Sequence, residues 1–86
     1  MRPDWCVHPG EILQEVLDEI KMSQSYLAFA TGYSQKHINQ IVKGHVAITA
    51  TVAVRLEREL GEPSAEFWMG LQTNYDLHVA REKEAS

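Results

Sequence analysis

Two short helical patterns meet at Gly32, inside SQSYLAFATGYSQKHINQIVKG from Ser23 to Gly44, and few folds accommodate helices so short and so tightly joined. Ala28 stands four residues before the glycine, and Ile38 and Ile41 follow six and nine residues after it. The first helix must pass close to the second, which asks for a small residue where Ala28 stands, and the turn asks for a backbone that tolerates positive φ, which Gly32 supplies. Leu27, Ile38 and Ile41 then fall on the buried side. Ser23 and Ser34 are placed as N-caps, because their hydroxyls accept from the free N–H groups of the first turn. Gly44 suits the C-terminal stop. The agreement of these signals at fixed offsets reads as a helix-turn-helix over residues 23–44.

The flanking sequence predicts three further helices. Pro9 fits the first position of helix 1, where its missing N–H would have been unpaired anyway, and Glu11 favours the positive end of the helix dipole. Ile12, Leu13, Val16, Leu17 and Ile20 recur at three and four residues and predict the buried stripe, with Glu15, Asp18 and Glu19 on the wet side. His8, in front of this helix, reads as a cap or a surface residue rather than a ligand or base. Helix 2, about Gln24 to Thr31, is expected to bury Leu27, Ala28 and part of Tyr26 or Phe29. After the loop from Gly44 to Ile48, Thr49 caps helix 4, whose Val52, Ala53, Leu56 and Leu60 point inward, and Gly61 ends it. Ser64 caps the last helix, about residues 65–80, with Glu66 in its first turn. Its Phe67, Trp68, Met69, Leu71, Tyr75, Leu77 and Val79 occupy more of the circumference than one core-facing stripe needs. That excess either completes a small core or marks an interface. Residues 1–7 read as an extended arm and Arg81 to Ser86 as a frayed, charged tail.

Helix 3, from about Gln35 to Lys43, carries the candidate chemistry. At 100° per residue, Ile38, Ile41 and Val42 share one side and Lys36, Asn39, Gln40 and Lys43 the other, with Gln35 and His37 flanking. Gln pairs bidentately with adenine and Lys donates to guanine, each worth about 1 to 3 kcal/mol of discrimination when well placed. An ordinary solvated helix face would carry similar residues, so the charge distribution has to decide. The net charge of −4 over 86 residues looks wrong for a chain that must neutralise phosphates. Yet all twelve acids lie outside residues 21–56, a window that holds Lys21, Lys36, Lys43, Arg55, His37 and His45. Segregation that coincides with the helix-turn-helix predicts one DNA-facing surface and acidic surfaces elsewhere.

The remaining composition excludes other classes. A chain of this length makes one domain with a small core, which dimerisation would support. No run of about 18 apolar residues predicts a transmembrane span, and the expectation is a cytoplasmic protein. The single cysteine, Cys6, forms no internal disulfide, and Cys6 with His8 supplies too few ligands for a metal. No nucleophile elbow, zinc-protease motif or phosphate-binding glycine loop is present, so neither an enzyme nor a cofactor is expected.

HPGEIL at His8 to Leu13, SQ at Ser23 and Gln24, ITA at Ile48 to Ala50 and EFWMGLQTNYDL at Glu66 to Leu77 together resemble the HigA-type antitoxins. These belong to the larger group of lambda-repressor-like helix-turn-helix proteins. The resemblance runs over about residues 8 to 78, and the first and last blocks make it specific. It implies an all-α, five-helix domain that dimerises, binds an inverted-repeat operator in its own promoter, and pairs with a HigB-type, mRNA-cleaving toxin. By the same resemblance Gln35, Lys36, His37 and Gln40 match base-contacting positions, and Gln24, Ser34 and Lys43 match phosphate-contacting ones. For the dimer or partner interface the expectation is Phe67, Trp68, Leu71 and Tyr75 on the last helix. A phage or prophage regulator without a toxin would share most of these features, as would an interaction module that uses the motif only as scaffold.

Overall fold

The computed structural model describes residues 7–85, which form five helices and no strand. They are α1 (Pro9–Ile20), α2 (Gln24–Thr31), α3 (Gln35–Val42), α4 (Ala50–Leu60) and α5 (Ala65–Ala85). Of the expected N-terminal arm only Val7 falls within these bounds, and Cys6 lies outside the described residues.

Each helix begins where a side chain can satisfy its free N–H groups. Ser23 Oγ accepts from Tyr26 N at 3.0 Å, Ser34 Oγ from His37 N at 3.0 Å, Thr49 Oγ1 from Val52 N at 3.3 Å and Ser64 Oγ from Phe67 N at 3.2 Å. His8 also proves to be a cap, its Nδ1 accepting from Gly10 N at 2.9 Å ahead of Pro9. The turn between α2 and α3 is three residues long, and Gly32 enters it at φ 80° with its N–H on the Ala28 carbonyl at 2.9 Å. A side chain would strain that backbone.

The core draws on every helix. Leu13 and Leu17 of α1, Leu27 and Ala28 of α2, Ile38 and Ile41 of α3, Val52, Ala53 and Leu56 of α4, and Trp68 of α5 close around Ile48 from the loop. Trp68 is fully buried, so the aromatic block of α5 mainly completes the core, and Trp68 belongs to no surface. The start of α1 is pressed against the end of α3, and a Cβ on Gly10 would sit on the Ile41 carbonyl oxygen. A glycine is needed here for space.

Four expectations are corrected. Ile20 is 49% exposed, because α1 ends beside it and it lines an open groove with Val16, Leu60 and Pro63. Tyr26 and Phe29 are 56% and 83% exposed, since α2 meets the core through Leu27, Ala28 and Thr31 and these rings project from its other side. The C-terminal tail is helical as far as Ala85, continued by good helix formers and by a His78–Glu82 pair at 3.4 Å. Arg55, counted among the cations of the acid-free window, turns inward, donating from Nη1 to the Thr31 carbonyl at 3.0 Å.

Candidate nucleic-acid interface

The turn holds α3 by packing on both of its sides. Ile38 and Ile41 anchor the inner side in the core. Behind the turn, the Arg55 guanidinium lies 4.8 Å over the Tyr33 ring, and the His37 ring is 4.8 Å beyond it at an interplanar angle of 36°. The end of α3 rests on α1 at Gly10, and Gly44 N and His45 N cap it by donating to the Ile41 and Gln40 carbonyls. With inner side, start and end all fixed, the outer side of α3 is presented in a single orientation.

That side carries Gln35, Lys36 and Lys43, all exposed. Asn39 and Gln40 flank them, half-buried, and both are held by neighbours. Asn39 Nδ2 donates to Gln24 Oε1 at 3.2 Å, and Gln40 Oε1 lies 3.0 Å from His45 Nδ1. Ser34 is exposed at the start of the helix, and its hydroxyl hydrogen remains available after Oγ has accepted from His37 N. Seven of the eight candidate residues therefore lie on or beside the outer side of α3. His37 does so only partly, because its ring is stacked on Tyr33. Gln24 reaches the border from α2, with its Nε2 given to Gln14 Oε1 at 2.8 Å.

The stretch of chain that carries this side contributes no carboxylate, since the acid-free window spans α2, α3 and most of α4. Two exposed lysines on one helix, flanked by amides with both donor and acceptor ends, are groups able to hydrogen-bond to major-groove base edges.

On α5, Phe67 is 46% exposed and stands edge-on to Trp68, with ring centroids 6.0 Å apart. Leu71 and Tyr75 are half-buried, and Tyr75 forms an edge contact with His8 at 4.7 Å. Of the four expected interface residues, Phe67 alone is well exposed. Trp68 Nε1 is buried without a hydrogen-bond partner.

Two polar residues outside the expected set organise the site. Gln72, buried on α5, accepts from Ile48 N at 2.8 Å and donates to Asp76 Oδ1 at 2.8 Å, tying down the loop that leaves α3. Gln14 of α1 donates to Asp18 and accepts from Gln24. Both carry a sequence signal in retrospect: Trp68, Gln72 and Asp76, like Gln14 and Asp18, stand four apart on one helix face. Among the described residues no group of His, Cys, Asp and Glu is arranged to hold a metal ion, and no helix is long and apolar enough to cross a membrane.

Comparison with known proteins agrees with this geometry. The family model described as helix-turn-helix matches residues 13–67. Virulence-associated protein I of Dichelobacter nodosus is 42% identical over 82 residues, which are 94% of this chain and 75% of that protein. The structure of the Pseudomonas aeruginosa antitoxin HigA with the higBA promoter superposes with a TM-score of 0.87 at 41% identity, over 93% of this chain and 87% of the other. An addiction module antidote protein of the HigA family from Coxiella burnetii gives 0.83 at 38% identity, over 99% and 89%. The chain belongs to the helix-turn-helix family and, within it, to the HigA-type antitoxins.

Proposed function

We propose that this protein is a dimeric autorepressor that binds an inverted-repeat operator in its own promoter and serves as the antitoxin of a HigB/HigA-type module, neutralising an mRNA-cleaving toxin in the cytoplasm. The observation that carries the reading is the outer side of α3: exposed Gln35, Lys36 and Lys43 beside anchored Asn39 and Gln40, in a stretch of chain without acids. The relative from Pseudomonas aeruginosa, described with the higBA promoter, supports it. Lys36, Gln35 and Gln40 take the base edges, with His37 at the rim. Ser34, Lys43 and Gln24 take phosphates. A dimer sets two copies of α3 about one DNA turn, roughly 34 Å, apart, so each operator half-site faces one protomer. Phe67, with Leu71 and Tyr75 behind it, forms the centre of the dimer contact.

Footprinting on the DNA upstream of the gene, repeated with the neighbouring gene product, tests the whole reading. The expected result is protection of an inverted repeat by the protein alone, and capture of a basic neighbour that loses its ribonuclease activity on binding. Absence of protection at low and moderate salt would contradict the repressor. A protected repeat without a captured neighbour would point to a regulator that has no toxin.

A further inference from the structure

Four polar side chains from three helices form a single hydrogen-bonded file. Gln14 Nε2 donates to Asp18 Oδ1 at 2.7 Å, Gln24 Nε2 donates to Gln14 Oε1 at 2.8 Å, and Asn39 Nδ2 donates to Gln24 Oε1 at 3.2 Å. The file runs from the acidic face of α1, past the start of α2, to the recognition helix. Each amide has a donor end and an acceptor end, so three amides in a row could point in either direction. A carboxylate accepts only, and Asp18 at the end of the file selects one of them. With the Gln14 nitrogen drawn to Asp18, the Gln14 oxygen faces Gln24, the Gln24 oxygen faces Asn39, and Asn39 turns its nitrogen inward. Its Oδ1, with the second hydrogen of Nδ2 beside it, is left for a ligand. Gln14, Gln24 and Asn39 are half-buried, where facing two oxygens or two nitrogens costs more than in open water.

We propose that Asp18 and Gln14 are positioning residues that determine which base Asn39 reads. An outward Oδ1 accepts from adenine N6 or cytosine N4 in the major groove, with the second Nδ2 hydrogen placed for adenine N7, and is set oxygen to oxygen against thymine O4 and guanine O6. The inference rests on α3 being the DNA-facing helix, and it adds a residue pair outside the helix-turn-helix to the determinants of operator choice.

The test measures equilibrium affinity of the full-length protein for its operator and for a set of single-base-pair variants of that operator. Asn39→Ala locates the base pair, as the position where discrimination collapses. Gln14→Lys puts a donor-only group in the middle of the file, so Gln24 presents its oxygen to the lysine and its nitrogen to Asn39, whose own nitrogen then turns outward. The expected result is a preference at that position that swaps from adenine or cytosine to thymine or guanine, with a change in the affinity ratio of about tenfold and the other positions unaltered. Gln14→Glu keeps an acceptor toward Gln24 and is expected to keep the wild-type profile. The added lysine charge raises affinity for all sequences alike, so the ratio between variants is the readout, and a purely structural role for Gln14 would leave that ratio unchanged. A Gln14→Lys profile identical to wild type, in a protein whose urea midpoint shows it folded, would overturn the proposal, as would an Asn39→Ala variant that flattens no position. If the wild-type protein prefers no sequence over another, the DNA-binding reading itself falls.

Discussion

The side chain of Gln72, in the middle of α5, accepts from the backbone N–H of Ile48, the residue that ends the loop after α3, at 2.8 Å. Both are buried, so the bond is sheltered from water and fixes the loop against α5. Gln72→Ala would leave that N–H without a partner, at a cost of about 1 to 3 kcal/mol, and open space beside it. Urea denaturation is expected to show a lower midpoint with an unchanged slope.

Gly10 governs how closely α1 approaches α3. Gly10→Ala gains helix propensity but drives a methyl into the Ile41 carbonyl. Overpacking of this kind costs about 1 to 3 kcal/mol, which exceeds the propensity gain of about 1 kcal/mol. The variant is expected to melt at lower temperature and, because the end of α3 must shift, to bind operator DNA more weakly.

The His8 cap titrates. Burial lowers the His8 pKa below 6.5, against smaller opposing effects of the nearby Glu11 and Asp76 carboxylates. The unfolded chain therefore binds the proton more readily than the folded one, and the stability His8 contributes is complete above about pH 6.5 and declines as pH falls below it. His8→Asn supplies a cap that does not titrate. Melting curves from pH 7.5 down to pH 5 are expected to fall less steeply for that variant than for wild type.

Phe67 and Trp68 are neighbours with opposite fates. Phe67→Glu, at an exposed position, is expected to fold normally and to sediment as a monomer. Trp68→Ala removes the largest buried side chain among the described residues and is expected to lose about 3 to 5 kcal/mol, a large share of the stability of a small domain. Sedimentation for the first variant and circular dichroism for the second check the two outcomes.

Local signals in this chain are readable from residue type alone. Ser23, Ser34, Thr49 and Ser64 cap helices because capping depends on the next three residues, and Gly32 turns because few other residues adopt its φ. What depends on distant neighbours is not readable in this way. Ile20 fits the stripe of α1 but lines an open groove, while Trp68 looks like surplus on a crowded helix until the core closes around it. Gln72 and Gln14 are marked only by their four-residue spacing to Asp76 and Asp18, since a buried amide otherwise differs from an exposed one only in the partner it meets. The candidate DNA face emerged almost whole because it lies on one short helix with a pronounced periodicity. The restraints behind it, at Gly10, Tyr33, Arg55 and Gln72, come from four different parts of the fold.

If the outer side of α3 meets DNA through Lys36 and Lys43, one reads bases and the other holds a phosphate. Titration of wild type, Lys36→Ala and Lys43→Ala against upstream DNA and scrambled DNA over a range of salt concentrations separates the two roles. Lys36→Ala is expected to lose about 1 to 3 kcal/mol on the operator and much of the preference over scrambled DNA. Lys43→Ala is expected to weaken binding to both alike and to lower the salt slope by about one. Unchanged affinity and unchanged salt dependence in both variants would contradict a DNA-facing α3.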